Sequence, residues 1–180
     1  MKILNWLYLT IVIICLSCTN KHEKNVVHFD ENRVYKVIKI LDGDTYDVLI
    51  ENKPQRIRID AIDAPEKGMP FYKVSKNYLG SLCFKKMIRI KKVDVDRHGR
   101  WVCRGYTPEG LDISVEMVKA GLAWHYKEYS NDKELAQLEL EARSMKIGLW
   151  SEPLSLPPWE VRAMHRKGIS TKERFEHTVK

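Results

Sequence analysis

Residues 34–62 read VYKVIKIL, DG, DTYDVLI, ENKP, QRIRIDAI: three β-prone runs separated by two turn signals. Residues 34–41 are rich in β-branched side chains and read as a strand. Asp42-Gly43 is a strong turn signal. Residues 45–50 form the next strand, and Asn52-Lys53-Pro54 the next turn. In residues 55–62, Ile57, Ile59 and Ala61 fall on one face, with Arg56, Arg58 and Asp60 on the other. The stretch therefore reads as an antiparallel meander with one apolar face.

Downstream, residues 63–70 (DAPEKGMP) break the alternation and read as a loop. A helix is expected from Phe71 to about Cys83, with Val74, Tyr78, Leu79 and Leu82 along one stripe. Ile88 and Ile90 alternate in phase, while Val93 and Val95 resume one residue out of step, which predicts a bulge near Lys91-Lys92. Residues 96–99 make a turn, residues 100–106 the partner strand, and residues 107–110 a further turn. Ser114 is the expected N-cap of a helix over residues 115–120, stopped by Gly121. Another helix is expected from Asn131 or Asp132 to about Ile147, with Leu135, Leu138, Ala142 and Met145 on one face and Gly148 at its end. Residues 150–159 read as extended, and residues 160–180 as a loose, charged C-terminal tail. Five short strands with about three helices imply an α+β fold, mainly β: a five-stranded OB-fold barrel, with an open α+β arrangement as the alternative.

The first 17 residues carry a basic start (Lys2) and an apolar run, too short for the roughly 20 residues of a bilayer span. They read as a signal peptide; an uncleaved membrane anchor is the alternative. Leu16-Ser17-Cys18 resembles a bacterial lipobox, which implies lipidation at Cys18 and an exported protein, either membrane-anchored in the bacterial envelope or secreted. Residues 18–32 form a polar tether, and the folded domain is expected over residues 33–159. Cys83 and Cys103 either pair in an oxidising compartment or stay as buried thiols. The six histidines are scattered, and no Cys or His pair has zinc-site spacing. A net charge of +7 favours a polyanionic partner.

Asp42-Gly43-Asp44-Thr45, Arg58, Asp63-Ala64-Pro65-Glu66 and Asp96-Arg97-His98-Gly99-Arg100 are each explicable as turn or surface chemistry. Together, one end of a barrel could gather carboxylates and arginines from all of them. Carboxylates hold hard divalent cations, and arginines neutralise and orient phosphates. A further carboxylate can polarise an attacking water.

In this order and spacing the same residues resemble the signature of the staphylococcal-nuclease-like (thermonuclease) family. Gly121-Leu122-Ala123-Trp124, Tyr126 and Tyr129 resemble its next segment. Gly148-Leu149-Trp150 and Pro157-Pro158-Trp159 resemble the end of its bacterial members. The resemblance covers residues 34–159. It implies a Ca²⁺-dependent, monomeric nuclease that hydrolyses DNA and RNA with little sequence preference and leaves 3′-phosphate ends. It assigns Ca²⁺ to Asp44, Asp63 and the Ala64 carbonyl, the scissile phosphate to Arg58 and Arg100, and the attacking water to Glu66. His98, Tyr126 and Tyr129 would face the nucleotide. A non-catalytic nucleic-acid- or protein-binding module on the same fold is the alternative, and the full set of acidic and arginine residues favours the enzyme.

Overall fold

The computed structural model describes residues 33–152, 155–171 and 175. The expected meander forms strands β1 (Val34–Ile40), β2 (Thr45–Ile50) and β3 (Lys53–Ile59), paired antiparallel in sequence. Its second turn is tighter than expected. Glu51 and Asn52 both take positive φ, at 49° and 61°, so β3 starts at Lys53 and carries Pro54 inside it. The third run also ends early. Ala61 is left-handed, at φ 64°, and splits the expected strand into β3 and a two-residue β4 (Ile62–Asp63). Two hydrogen bonds fix this break: Asp60 N–H donates to the Cys103 carbonyl, and the Ser114 hydroxyl donates to the Asp60 carbonyl.

Strands β5 (Met87–Val95) and β6 (Trp101–Tyr106) form a hairpin, with the register shift between Lys92 and Asp94. Strand β6 runs parallel to β3, and β5 pairs with β1, closing a barrel in the order β1-β2-β3-β6-β5. Alternation puts Val37, Tyr46, Val48, Ile57, Ile59, Ile88 and Ile90 fully inside. Cys83 and Cys103 are buried free thiols, so no disulfide joins them, and burial pushes both up to about 12.

Among the described residues there are four α-helices, against about three expected from the sequence: α1 (Tyr72–Cys83), α2 (Ile113–Lys119), α3 (Lys133–Ser144) and α4 (Pro158–Arg166). The inward stripe of α1 is Ser75, Leu79 and Cys83, and the expected Val74 is half exposed. The reason is close approach. A Cβ on Gly43 would collide with the Ser75 hydroxyl, which donates 2.8 Å to the Leu122 carbonyl, so nothing larger fits at 75. The N-cap of α2 is Asp112, not Ser114; its carboxylate accepts from the N–H groups of Ser114 and Val115. The inward face of α3 is Leu135, Glu139 and Ala142, while Met145 is exposed. Buried Glu139 is drawn inward by the His125 N–H at 3.3 Å and the Lys127 ammonium at 2.7 Å.

Gly121 and Gly148 act as helix stops, but together. Their backbones touch, with Leu149 N–H donating 2.8 Å to the Gly121 carbonyl, and a Cβ at either glycine would strike the other segment. Strand β7 (Trp124–His125) follows and pairs with β4.

The largest departure lies at the C-terminal end. Residues 160–166, expected to be loose, belong to α4. Pro158 supplies its first turn, where a missing N–H costs nothing. Val161 enters a second apolar cluster with Met69, Trp124, Ala142, Leu149 and Trp150, a burial worth about 1.5–3 kcal/mol. Trp124 and Trp150 meet edge to face at 5.6 Å there. The proposed signal peptide, tether and Cys18 lie outside the described residues, and among the described residues no helix is long and apolar enough to cross a membrane.

Candidate active site

The Asp42-Gly43 turn delivers Asp44 to the start of β2. Asp42 accepts the Asp44 N–H at 3.1 Å, and Leu41 N–H closes the turn on the Thr45 carbonyl. One oxygen of Asp44 accepts the Thr45 hydroxyl at 2.9 Å; the other accepts the Ala64 N–H at 2.8 Å. Thr45 faces Arg58 across the β2–β3 ladder. Arg58 thus emerges beside Asp44 and spends one amino group on the Ile59 carbonyl, at 2.7 Å. Its other amino group reaches Asp63 at 3.0 Å and Asp44 at 3.3 Å. The three side chains are only 13%, 9% and 4% exposed for Arg58, Asp44 and Asp63. The early break of the third strand produces this convergence, because the turn at Ala61 swings Asp63 back over the barrel end.

Glu66 lies beyond Pro65, with its side chain 44% exposed. It joins the cluster through a residue that the sequence reading missed. Arg162 of α4 donates 2.6 Å to Glu66 and 2.7 Å to Asp63. Two arginines therefore grip Asp63 from opposite elements. A signal for Arg162 was present in Pro158, which opens a helix and puts Trp159 and Arg162 three residues apart on one face.

Charge is crowded here. Burial, then the neighbouring charge of Asp44, push Asp63 up to about 6 against the opposing pull of Arg162 and Arg58. Asp42 is pushed up to about 7, first by burial and then by Asp44. Carboxylates held this close in a dry site resist full ionisation unless a further positive charge joins them.

The other assigned residues sit apart. Arg100 is tied back to its own turn. It donates 2.6 Å to Asp96, whose other oxygen accepts the Arg100 and His98 N–H groups. Among the described residues no hydrogen bond or ion pair links Arg100 to Asp44, Asp63 or Glu66; its partner is Asp96. His98 is exposed at the tip of that hairpin, with Arg97 donating to its ring at 3.2 Å. Tyr126 stacks on Trp159, at 5.1 Å and within 3° of parallel, and meets Tyr129 at 4.8 Å. Tyr126 and Trp159 border an open groove of about 410 Å³ also lined by Trp124, Lys127, Arg143 and Pro157. Trp159 and Arg162 stand three residues apart on α4, so one helix serves both the aromatic groove and the carboxylate cluster.

A family model described as staphylococcal nuclease homologue matches residues 56–152. An uncharacterized endonuclease of Escherichia coli O157:H7 is 41% identical over 132 residues, covering 73% of this chain and 85% of its own. A micrococcal nuclease of Shigella flexneri is 36% identical over 137 residues, covering 71% and 79%. A probable staphylococcal-like nuclease of Oryza sativa subsp. japonica is 40% identical over 118 residues, covering 66% of this chain and 35% of its own. Arg58, Asp63, Glu66 and Arg100 fall within the span matched by the family model; Asp44 and Arg162 fall outside it.

Proposed function

The chain belongs to the staphylococcal nuclease homologue family, and from that premise we propose that it is a Ca²⁺-dependent endonuclease acting on DNA and RNA. The observation that carries the reading is the buried Asp44–Arg58–Asp63 cluster at the open end of the barrel. Replacing a buried ion cluster by apolar side chains is often neutral or stabilising, so stability alone gives little reason for this one.

Asp44 and Asp63, with the Ala64 carbonyl, would hold Ca²⁺. The fit rests on this chain's own chemistry: hard oxygen donors, nearly dry, with Asp63 raised by burial and by the neighbouring charge of Asp44. When bound, the ion supplies Lewis-acid polarisation of a phosphoryl oxygen. Arg58 is preorganised by its bonds to Ile59 and Asp63, so its charge is fixed where a phosphate would enter. Glu66 orients the attacking water with its exposed carboxylate. Arg100 reaches the phosphate by leaving Asp96, and the side chains are long enough at this half-exposed turn for a substrate phosphate to compete. Water adds to phosphorus and the P–O5′ bond breaks, which leaves a 3′-phosphate and a 5′-hydroxyl.

The test is digestion of single- and double-stranded DNA and of RNA, with Ca²⁺ and with a chelator, followed by end-group analysis. Cleavage that needs Ca²⁺ and leaves 3′-phosphates is expected. Full activity in excess chelator, or in Asp63→Asn, would sink the mechanism. We also propose export with lipidation at Cys18. Mass spectrometry of membrane and soluble fractions for the full chain and Cys18→Ser decides it, and an intact N-terminus on cytosolic protein would remove the claim.

A further inference from the structure

Arg162 stands outside both the sequence signature and the residues matched by the family model. Its guanidinium nevertheless bridges the two carboxylates that the proposed reaction separates into different tasks: Asp63 for the cation and Glu66 for water. We propose that Arg162 is the positioning residue for Glu66, holding that carboxylate over the carboxylate cluster from α4. The inference rests on the nuclease reading above.

Glu66 needs such a holder. It follows Pro65 on a loop, its carboxylate is 44% exposed, and among the described residues the one hydrogen bond to that carboxylate comes from Arg162. A free glutamate in that setting would sample several rotamers, and a general base or water-orienting group loses rate when it wanders from its line of attack. Arg162 removes that freedom with a planar fork. One amino group takes Glu66 at 2.6 Å and the other takes Asp63 at 2.7 Å, so the two carboxylates are set by one rigid unit. A lysine carries the charge but has no fork.

The fork is itself well anchored. Val161, the adjacent residue, is buried in the second apolar cluster, and Trp159, one turn earlier, lies flat on Tyr126. Helix α4 thus behaves as a bracket: apolar contacts fix its axis, and Arg162 transmits that position to the water-handling carboxylate.

The test is a double-mutant cycle on the full chain with Ca²⁺ and a single-stranded DNA substrate: Glu66→Gln, Arg162→Ala, both together, and Arg162→Lys. Arg162→Ala should lower kcat by about 10–100-fold, the usual cost of losing a group that orients a metal-site residue, while KM changes by less than about threefold. Arg162→Lys should recover part of the loss. In the Glu66→Gln background, Arg162→Ala should cost nothing further, because the residue it orients has already lost its charge. An Arg162→Ala protein with wild-type kcat overturns the proposal. So does an equal loss in both backgrounds, which would mean that Arg162 acts on substrate or on folding rather than through Glu66. Melting temperatures of all variants separate misfolding from mispositioning, and Arg162→Met, which keeps most of the unbranched stem without the charge, gives the kcat reading if the alanine variant fails to fold. Wild-type protein that cleaves nothing would instead defeat the nuclease reading; active wild type with a silent Arg162→Ala defeats this inference alone.

Discussion

The barrel end and the Asp96–Arg100 hairpin each pair an arginine with aspartate, yet the fold treats them differently. Arg58 is 13% exposed and wedged between two buried carboxylates, one from the first turn and one from the short strand β4. Arg100 is 31% exposed and bonded within its own five-residue turn. The first pair depends on long-range closure of the barrel, and the second would form in almost any hairpin of that sequence. A buried arginine with two carboxylate partners is fixed before substrate arrives, whereas a turn arginine is free to be recruited.

The sharpest break of this contrast is Arg58→Ala. It leaves Asp44 and Asp63 buried without their shared counter-charge, which costs about 3–5 kcal/mol of stability. Turnover should also fall about 100–1000-fold, because a preorganised donor at the phosphate is lost. Urea unfolding and steady-state kinetics measure the two effects. Unchanged stability would mean that the cluster is looser than its distances indicate.

Arg100→Ala should separate the effects. Its ion pair with Asp96 is partly exposed and confined to one turn, worth about 0–1 kcal/mol, so the unfolding midpoint should barely move. Turnover should still drop by about 100-fold if the arginine is recruited to the phosphate. Loss of stability without loss of turnover would reverse the assignment and leave Arg100 a turn residue.

The contrast extends to pH, with opposite signs. Asp63 and Asp42 are raised, to about 6 and about 7, so the folded cation-free protein holds protons that the unfolded chain releases near 3.8. Their contribution to stability is therefore present at acid pH and lost as pH climbs through the folded values. Asp96 is lowered; burial works against this, but bonds from Arg100 and the turn N–H groups outweigh it. Its contribution is present above 3.8 and lost as pH falls below that. Cation-free protein should thus melt at progressively lower temperature from about pH 4 to about pH 7, and Ca²⁺ should raise the melting temperature most at the upper end. Asp63→Asn should flatten part of the slope and Asp96→Asn should not. A melting temperature indifferent to pH across that window would contradict the crowding at Asp63.

How much of this was legible follows the same division. The meander of residues 34–59 could be read because alternation and turn signals act locally: Ile57 and Ile59 did face inward, and Asp42-Gly43 did make the turn. The site motifs gave the identities of Asp44, Arg58, Asp63 and Glu66, and the fold brought all four to one place. What escaped were features set by distant partners. Ser75 and Glu139 point inward because the Leu122 carbonyl and the His125 N–H await them, which no apolar stripe can report. Helix α4 was hidden because two prolines suggest an extended chain until Val161 finds its cluster. Arg162 could not be placed before α4 was.

The smallest expected effect lies at the outer rim of the site, where Tyr126 and Tyr129 adjoin but do different work. Tyr129 is 71% exposed, and among the described residues its one ring contact is with Tyr126. Tyr126 is half-buried and lies flat on Trp159, on the helix that carries Arg162. Stacking a base on an aromatic ring is worth about 1–3 kcal/mol. An exposed ring at the edge should give the low end of that range, so Tyr129→Ala should raise KM by about fivefold, the equivalent of roughly 1 kcal/mol, and leave kcat alone. Tyr126→Ala should raise KM and lower kcat together, because it also removes the platform that seats Trp159 and, through α4, the Arg162 fork. Michaelis–Menten measurements on single-stranded DNA distinguish the two patterns. If Tyr129→Ala lowers kcat, the rim is coupled to the chemistry. If Tyr126→Ala leaves kcat untouched, α4 holds its position without the stack, and the apolar burial of Val161 alone sets where Arg162 stands.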